Sequence, residues 1–230
     1  MAMKKFLFVV LGIGILSAAY ASVPANTGDE AGIGEDADST AIVQTVRDFF
    51  LSESIIPDVF PTIDQLTRMD MLDYYDNGKK EKMPTRLGGE AYIDSLSDNY
   101  LKVVTSQSAY TEIAQYTRHG KPMFAIIRTI LLPVADSRIR FVDPTESGDL
   151  QLLEMPSTED FLTKDGKKKK EELLKSVDFS LVRLSFLPDG SIEACTTLLD
   201  YLSKEDSAEI APYLTDSIVY RWTGSKFKKK

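Results

Sequence analysis

From Tyr100 onward, apolar and polar side chains alternate along this chain with the period of two that is typical of a β-strand. The alternation recurs in successive segments, at residues 100–105, 110–117, 123–132 and 137–143. The third segment is long and largely apolar, which indicates a strand near the centre of a sheet. Because short turn sequences connect the segments, we expect neighbouring strands to pair antiparallel.

A hairpin is predicted nearer the C-terminus. Residues 179–187 and 191–199 flank a Pro-Asp-Gly sequence at 188–190. Glycine supplies the positive φ that a tight turn between twisted strands needs, so the two flanking segments are predicted to pair. Cys195 falls on the less apolar face of the second of these strands, and a final strand is predicted over residues 217–223.

The chain ahead of these strands has the apolar spacing of helices. Ile42, Val46 and Phe49 share one face of a predicted first helix. A second helix is predicted to begin near Thr62 and to end before Gly78. Two helices followed by about seven strands indicate an α+β fold, with the N-terminal helices packed on one face of a mainly antiparallel sheet.

The N-terminus has the pattern of a cleavable secretory signal peptide. Lys4 and Lys5 precede an uncharged apolar stretch at residues 6–16, and small side chains follow at Ala19 and Ala21, where the signal peptidase reads them. As a helix this stretch would be about 16 Å long, at ~1.5 Å per residue, whereas a bilayer core is about 30 Å thick. We therefore expect cleavage and no membrane span in the mature chain, with an uncleaved N-terminal anchor as the alternative.

We divide the chain into a signal peptide over residues 1–21, a mobile acidic leader over 22–39 and a single α+β domain over 40–230. The leader is poor in large apolar side chains and rich in Gly, Asp and Glu, so it lacks the means to join a core. With 43% hydrophobic residues, the chain as a whole can bury a core. Its single cysteine, Cys195, cannot form an intramolecular disulfide, so packing must supply the stability.

The net charge of −8 limits the classes of partner. An acidic surface repels phosphate backbones and anionic lipid headgroups, which disfavours roles at a nucleic acid or at a membrane surface. We therefore expect the partner to be a protein, a peptide or a glycan.

Aspartates on the predicted second helix form one candidate interaction site. Asp70, Asp73 and Asp76 are spaced three apart, which places carboxylates on one helix face, where they can ligate Ca²⁺ or share a proton. The sequence lacks the Asp-x-Asp-x-Asp-Gly pattern of a calcium loop there. A solvent-exposed face, or an ion pair with Arg86 or a lysine, is the competing interpretation.

Aromatic side chains on the predicted strands form a second candidate. They are Tyr110, Tyr116, Tyr220 and Trp222. An aromatic sheet face binds sugars or peptides by stacking, but aromatic residues on strands also build cores, and the pattern leaves both interpretations open. From this set we select Tyr220 and Trp222 as interaction candidates.

Catalytic chemistry finds little support in the sequence. A nucleophilic Ser137 would need a base, yet the only histidine, His119, precedes the strand at 123–132 and Ser137 follows it. At ~3.3 Å per residue, that strand separates the two by about 33 Å. A pair of Cys195 with His119 has no motif to support it, and a Ser–Lys pair stays open. We assign no catalytic residue, no metal ligand and no cofactor.

Several short segments together resemble one protein family. They are RMDMLDYY (68–75), RLGG (86–89), YLKV (100–103), PVADSR (133–138), PYL (212–214) and YRWTG (220–224). In this order they resemble an uncharacterised family of short exported proteins from Bacteroides-type bacteria, a domain of unknown function, over about residues 40–228. The resemblance implies the periplasm or cell surface of a Gram-negative bacterium and supplies no catalytic residue, cofactor or substrate.

These observations favour an exported, non-enzymatic module that binds a protein, peptide or glycan. Two alternatives remain: a hydrolase that uses carboxylate or Ser/Lys chemistry, and an envelope assembly or structural protein. A polar cluster around Asp70, Asp73 or Ser137 in a concave pocket would favour the hydrolase. An exposed, unpaired strand edge would favour the assembly protein, because such an edge templates pairing with another chain.

Overall fold

The computed structural model describes residues 43–53, 58–175, 177 and 179–230. The predicted signal peptide, the acidic leader and the start of the predicted first helix lie outside these residues. Within the described part of the chain, none of the helices has both the length and the apolar character that crossing a bilayer requires.

A six-stranded antiparallel sheet, which we call the first sheet, lies at the centre of the fold. Its strands stand side by side in chain order, without a crossover. They are β1 (Met83–Pro84), β2 (Glu90–Leu96), β3 (Tyr100–Ser106), β4 (Ala109–Arg118), β5 (Lys121–Ile130) and β6 (Asp136–Val142). The strands β4 and β5 pair along their whole length, and the turn between them uses the positive φ of Gly120.

A four-stranded antiparallel sheet, the second sheet, follows in sequence. Its order is β10-β9-β8-β7. The strands are β7 (Val182–Phe186), β8 (Ile192–Thr196), β9 (Ser217–Trp222) and β10 (Phe227–Lys229). The predicted hairpin is β7 and β8, and Gly190 has the expected positive φ of 77° in its turn.

Six α-helices and two 3₁₀ turns complete the described chain. The helices are α1 (Val46–Leu51), α2 (Gln65–Asp76), α3 (Lys164–Lys168), α4 (Lys170–Leu173), α5 (Leu198–Tyr201) and α6 (Lys204–Ile210), and the 3₁₀ turns are Thr158–Phe161 and Ala211–Tyr213. Thr45 caps α1 through a capping box with Asp48, and the side chain of Asp64 caps α2. These caps fix where the two N-terminal helices begin.

Both faces of the first sheet are covered. On one face, Ile113, Phe124 and Ile126 pack in the same core as α1 and α2, where the Phe49 ring stacks on Phe124 with 4.2 Å between centroids. On the other face, alternate residues such as Ile127 pack against the second sheet. A strand that is buried on both faces carries apolar residues almost continuously, which accounts for the long apolar run of β5.

Among the described residues, three of the four edge strands of the two sheets are short or hydrogen-bonded to neighbouring segments. Strand β1 is two residues long and ends in Pro84. On β7, the backbone N–H groups of Val182 and Leu184 donate to side-chain oxygens of Asp136 and Ser137 at 3.1 and 3.0 Å. On β10, the N–H of Phe227 donates to a carbonyl of the neighbouring chain segment.

The predicted α+β class is confirmed, with helices packed on one face of an antiparallel sheet. The strands divide into two sheets and include β2, a strand that the sequence analysis did not predict. Strand β2 alternates weakly, because Ala91 and Ile93 are its only fully buried residues and acidic side chains flank them. Its pairing with β3 outweighs that weak local pattern.

Candidate binding groove

Two adjoining cavities lie where the β7–β8 turn crosses the first sheet. Their volumes are about 320 and 660 Å³. They share five lining residues, Asn99, Gln115, Tyr116, Pro188 and Gly190, and therefore form one continuous depression. We call this combined space the turn groove.

The turn groove is held in shape by contacts between the two sheets. The hydroxyl of Tyr116, on β4, donates to the carbonyl oxygen of Gly190 at 2.9 Å, which fastens the hairpin turn to the first sheet. The backbone N–H of Gln115 donates to the carbonyl oxygen of Asn99 at 2.8 Å and fixes the β2–β3 connection beside it. The walls therefore belong to rigid elements, which is the usual basis of a preformed site.

Aromatic rings form a row along the groove. The centroid of Tyr116 lies 5.7 Å from that of Trp222 and 6.4 Å from that of Phe186. The ring of Tyr100 continues the row, with its centroid 6.3 Å from that of Phe186. These separations are within the range of favourable aromatic pairs, so the rings support one another.

The polar atoms of these rings are already bonded within the protein. Besides the bond from Tyr116, the indole N–H of Trp222 donates to the carbonyl of Thr117 at 3.2 Å, and the hydroxyl of Tyr100 donates to Glu112 Oε1 at 2.6 Å. Burial raises the pKa of both Tyr100 and Tyr116, so the two phenols stay neutral. Tyr100, Phe186 and Trp222 are half-buried and offer a ligand part of their carbon surface, whereas Tyr116 is 9% exposed and supports its neighbours from within the core.

Hydrogen-bonding capacity comes from the side chains between the rings. Asn99 and Gln115 supply amides, although Gln115 Nε2 already donates to the carbonyl of Gln44 at 2.8 Å and Asn99 Oδ1 accepts from Ser97 at 3.3 Å. Asp189 and Arg221 supply one negative and one positive charge. Hydrogen bonds from Ser191, first from its backbone N–H at 2.9 Å, hold the pKa of Asp189 below its usual range, and Arg221 lowers it further. Asp189 is therefore ionised at neutral pH, and the charges in the groove balance.

A buried carboxyl group lies behind the groove wall. Glu112 is 3% exposed, and burial raises its pKa, an effect that the hydrogen bond from Tyr100 and the charges of Lys102 and Arg183 oppose. Its Oε2 atom has no hydrogen-bond partner among the described residues. Glu112 thus holds the Tyr100 ring in place through Oε1, while the burial of its unbonded Oε2 atom costs free energy.

The three predicted aspartates are on α2, in the helix layer, and all of them are exposed. Asp76 forms a two-pronged ion pair with Arg47, at 2.6 and 2.9 Å, which lowers the pKa of the carboxyl group. The proposed partner Arg86 instead lies 3.8 Å from Asp64. Within the described residues, no group of three or more His, Cys, Asp or Glu side chains is placed to hold a metal ion.

The two predicted aromatic candidates have different surroundings. Tyr220 is buried between the sheets, and burial raises the pKa of its hydroxyl to about 12. Trp222 lies two residues further along the same strand face, is half-buried, and lines the groove. The structure therefore places Trp222, and not Tyr220, at a surface that a ligand can reach.

Ser137 has a structural environment. It is buried, accepts the hydrogen bond from the Leu184 N–H at 3.0 Å, and lies 2.8 Å from the hydroxyl of Thr129. His119 is exposed at the opposite end of β5, and the register between β5 and β6 puts about 26 Å of strand between them at ~3.3 Å per residue. The two side chains do not form a catalytic dyad.

Cys195 lies on the outer face of the second sheet, as predicted, and is half-buried. Burial raises the pKa of its thiol, although a hydrogen bond with Arg183 opposes the shift. A thiol with a raised pKa is a poor nucleophile at neutral pH. Cys195 therefore packs as a small side chain.

Sequence reasoning missed most of the groove. Asn99 lies in none of the segments singled out in the sequence, Gln115 lies only in the predicted strand at 110–117, and Arg221 lies only in the predicted strand at 217–223 and the family segment at 220–224. The three come together because the hairpin turn crosses β4. The available signal was the Pro-Asp-Gly turn itself, whose position in the sequence was predicted but whose contact with Tyr116 was not.

The sequence of the described fold matches a known protein family. Residues 39–227 match the model of a family described as "Protein of unknown function (DUF3256)". The chain belongs to this family. The turn groove lies wholly within the matched part of this DUF3256 chain, as do α1, α2 and both sheets up to Phe227.

One solved structure shares the fold. It is a domain of an uncharacterized protein from Porphyromonas gingivalis W83, with a TM-score of 0.64 and 22% sequence identity. The alignment covers 80% of the DUF3256 chain and 98% of that domain. Among curated proteins, none matches the chain. The similarity therefore supports the α+β architecture and carries no activity with it.

Proposed function

We propose that this DUF3256 chain is an exported, non-enzymatic binding module and that the turn groove is its binding site. One observation carries the proposal: half-buried aromatic rings, packed around the buried Tyr116, line one concave space together with two amides and one charge of each sign. Concave sites of this kind, with apolar surface and a few convergent polar groups, are typical of ligand binding. The N-terminal signal pattern supports export.

The hydrolase alternative has weaker support in the same residues. Among the described lining residues of the groove, Asp189 is the one carboxylate, and its pKa is lowered, so it suits neither a paired acid–base mechanism nor a proton donor. Ser137 is buried and bonded to groups that hold the two sheets together. These placements favour binding over turnover.

The assembly alternative also has weaker support. An envelope assembly protein that adds strands needs an open edge, and the described edges of β1, β7 and β10 are short or capped. The groove is therefore the more favourable surface for a partner than a sheet edge.

The proposal is tested with the mature full-length chain immobilised and exposed to envelope and culture fractions of the native bacterium. We expect a partner that the wild-type chain retains, and that Trp222→Ala and Arg221→Ala lose. Tyr201→Ala is the matched control, because Tyr201 is an aromatic residue that is 49% exposed and lies outside the groove. Retention that all three variants share, or ester or glycan turnover that Ser137→Ala abolishes in a folded protein, would contradict the proposal.

Export is tested separately. The N-terminus of the protein recovered from the native host is sequenced after fractionation of the cells. We expect the mature chain to begin at Ser22 and to be absent from the cytoplasm. A mature chain that retains residues 1–21 in the cytoplasm would contradict export and leave the groove unaffected.

A further inference from the structure

We infer that the ligand of the turn groove is a neutral oligosaccharide, an inference that rests on the proposed function and names its ligand class. Three properties of the groove point to this chemistry: the way the rings are presented, the type of polar group between them, and the charge balance.

The rings are presented as stacking platforms. The hydroxyl of Tyr100 donates to Glu112, the hydroxyl of Tyr116 to Gly190, and the indole N–H of Trp222 to Thr117. These hydrogen bonds fix the orientation of the three rings before a ligand binds. A pyranose ring has an apolar face of C–H groups, which packs against the flat carbon surface of an aromatic side chain. The half-buried rings of Tyr100 and Trp222, at the two ends of the row around the buried Tyr116, provide two such platforms, which suits a short chain of sugar rings.

The polar groups between the rings suit hydroxyl pairs. The side chains of Asn99, Asp189 and Arg221 each carry two neighbouring polar atoms in one plane. Neighbouring hydroxyl groups on a sugar can each donate and accept, so they can bond to both atoms of one amide, carboxylate or guanidinium group. Hydrogen bonds of this kind fix the orientation of a sugar ring, which stacking on an aromatic ring alone does not.

The charge balance selects an uncharged ligand. Asp189 and Arg221 give the groove one charge of each sign, while the chain as a whole has a net charge of −8. The Asp189 carboxylate and the acidic surface would repel a uronic or sulfated glycan, and the Arg221 guanidinium group would repel a basic peptide. A neutral chain avoids both penalties.

A peptide that adds to a sheet edge is a poorer fit. Such a peptide needs unpaired backbone groups, and the neighbouring edge of β7 is capped at Val182 and Leu184 by side chains of β6. A proline-rich peptide, which docks on aromatic grooves without an edge, remains as a distinct outcome of the test.

Trp222 makes the experiment direct, because it is the only tryptophan in the chain and it lines the groove. Its fluorescence is followed while the mature full-length protein is titrated with a pool of neutral oligosaccharides released from plant and bacterial polysaccharides. Parallel titrations use a uronic-acid oligosaccharide pool and a proline-rich peptide. We expect a saturable change in emission with the neutral pool alone.

Variants that keep the reporter locate the response. We expect Asn99→Ala and Arg221→Ala each to weaken the neutral-pool titration by about tenfold, the loss of a hydrogen bond worth roughly 1.4 kcal/mol. Tyr201→Ala should leave the titration unchanged. Unchanged circular dichroism and an unchanged melting temperature show that each variant is folded.

The remaining outcomes separate the two claims. A response to the uronic pool or to the peptide, with none to the neutral pool, overturns the oligosaccharide inference and leaves the groove as the binding site. A neutral-pool response that both groove variants leave intact also overturns the inference, since the sugar then binds elsewhere. No response to any ligand, together with capture that does not depend on Trp222, overturns the proposed function as well.

Discussion

The two faces of the first sheet are packed in different ways. The face toward α1 and α2 is filled largely by hydrocarbon, with the Phe49 and Phe124 rings stacked at its centre. The face toward the second sheet also buries polar groups, among them Glu112, Thr129 and Ser137. The first face packs against the helices and borders a cavity of about 340 Å³ that Thr111 and Arg128 help to line, whereas the second face joins two sheets and opens into the turn groove.

The two faces are held to their covering layers by different interactions. Helices cover the first face with apolar side chains, so its packing serves stability. The second sheet is joined to the first through directed hydrogen bonds, such as those of Ser137 and Tyr116, and these bonds also position the rings of the groove. The hydrogen bonds that stabilise the second face therefore also shape the proposed binding site.

The largest effect is expected in the helix-facing core. Phe124→Ala removes a fully buried ring and leaves a cavity beside Phe49, so we expect a loss of about 3–5 kcal/mol in the free energy of unfolding, measured with denaturant. The control Leu87→Ala, at a side chain 84% exposed, should change that free energy by less than about 0.5 kcal/mol. Similar small losses for both variants would show that this core is not close-packed.

A smaller loss is expected at the junction of the sheets. Ser137→Ala leaves the Leu184 N–H without its acceptor, which should cost about 1–3 kcal/mol of unfolding free energy. The exposed Ser147 is the matched control, and Ser147→Ala should be silent. An unchanged stability for Ser137→Ala would contradict the role of Ser137 in joining the sheets.

Glu112 should make stability depend on pH. Burial raises the pKa of Glu112 in the folded chain above the ordinary glutamate pKa. At pH values between these two pKa values, the folded state still holds a proton that the unfolded state has lost. Stability contributed by this group is therefore complete below the ordinary pKa and falls as the pH rises through that interval. We expect a fall in the free energy of unfolding over this pH interval that Glu112→Gln removes.

Unfolding curves of the wild-type chain and the variant at a series of pH values measure this difference. Glu171→Gln, at an exposed position on α4, controls for the loss of one charge. Parallel profiles for wild type and Glu112→Gln would show that Glu112 titrates normally.

The smallest effect is expected on α2. A double variant, Asp70→Asn with Asp73→Asn, alters two exposed carboxylates in the helix layer. We expect its melting temperature, its response to added Ca²⁺ and its retention of the partner to equal those of the wild-type chain. A Ca²⁺-dependent rise in melting temperature that the double variant loses would return the binding site to the helix face.

The regular elements were largely predictable and the groove was not. The alternation in β3 to β5 and the turn at Gly190 are local signals, so the sequence analysis predicts them correctly. Trp222 and Tyr220 share one strand face, and alternation cannot show that Tyr220 is buried while Trp222 lines the groove. Local patterns also do not reveal that Tyr116 reaches Gly190, because that contact joins residues 74 positions apart.

The most direct test of the central claim is a map of the bound ligand on the protein. Backbone and indole N–H resonances of the mature chain are recorded as the partner retained by the wild-type protein is added. From the assignment of the turn groove as the binding site, we expect chemical-shift changes at Asn99, Gln115, Gly190 and the Trp222 indole, with α2 unaffected. Shifts confined to α2, or to the outer face of the second sheet around Cys195, would contradict it.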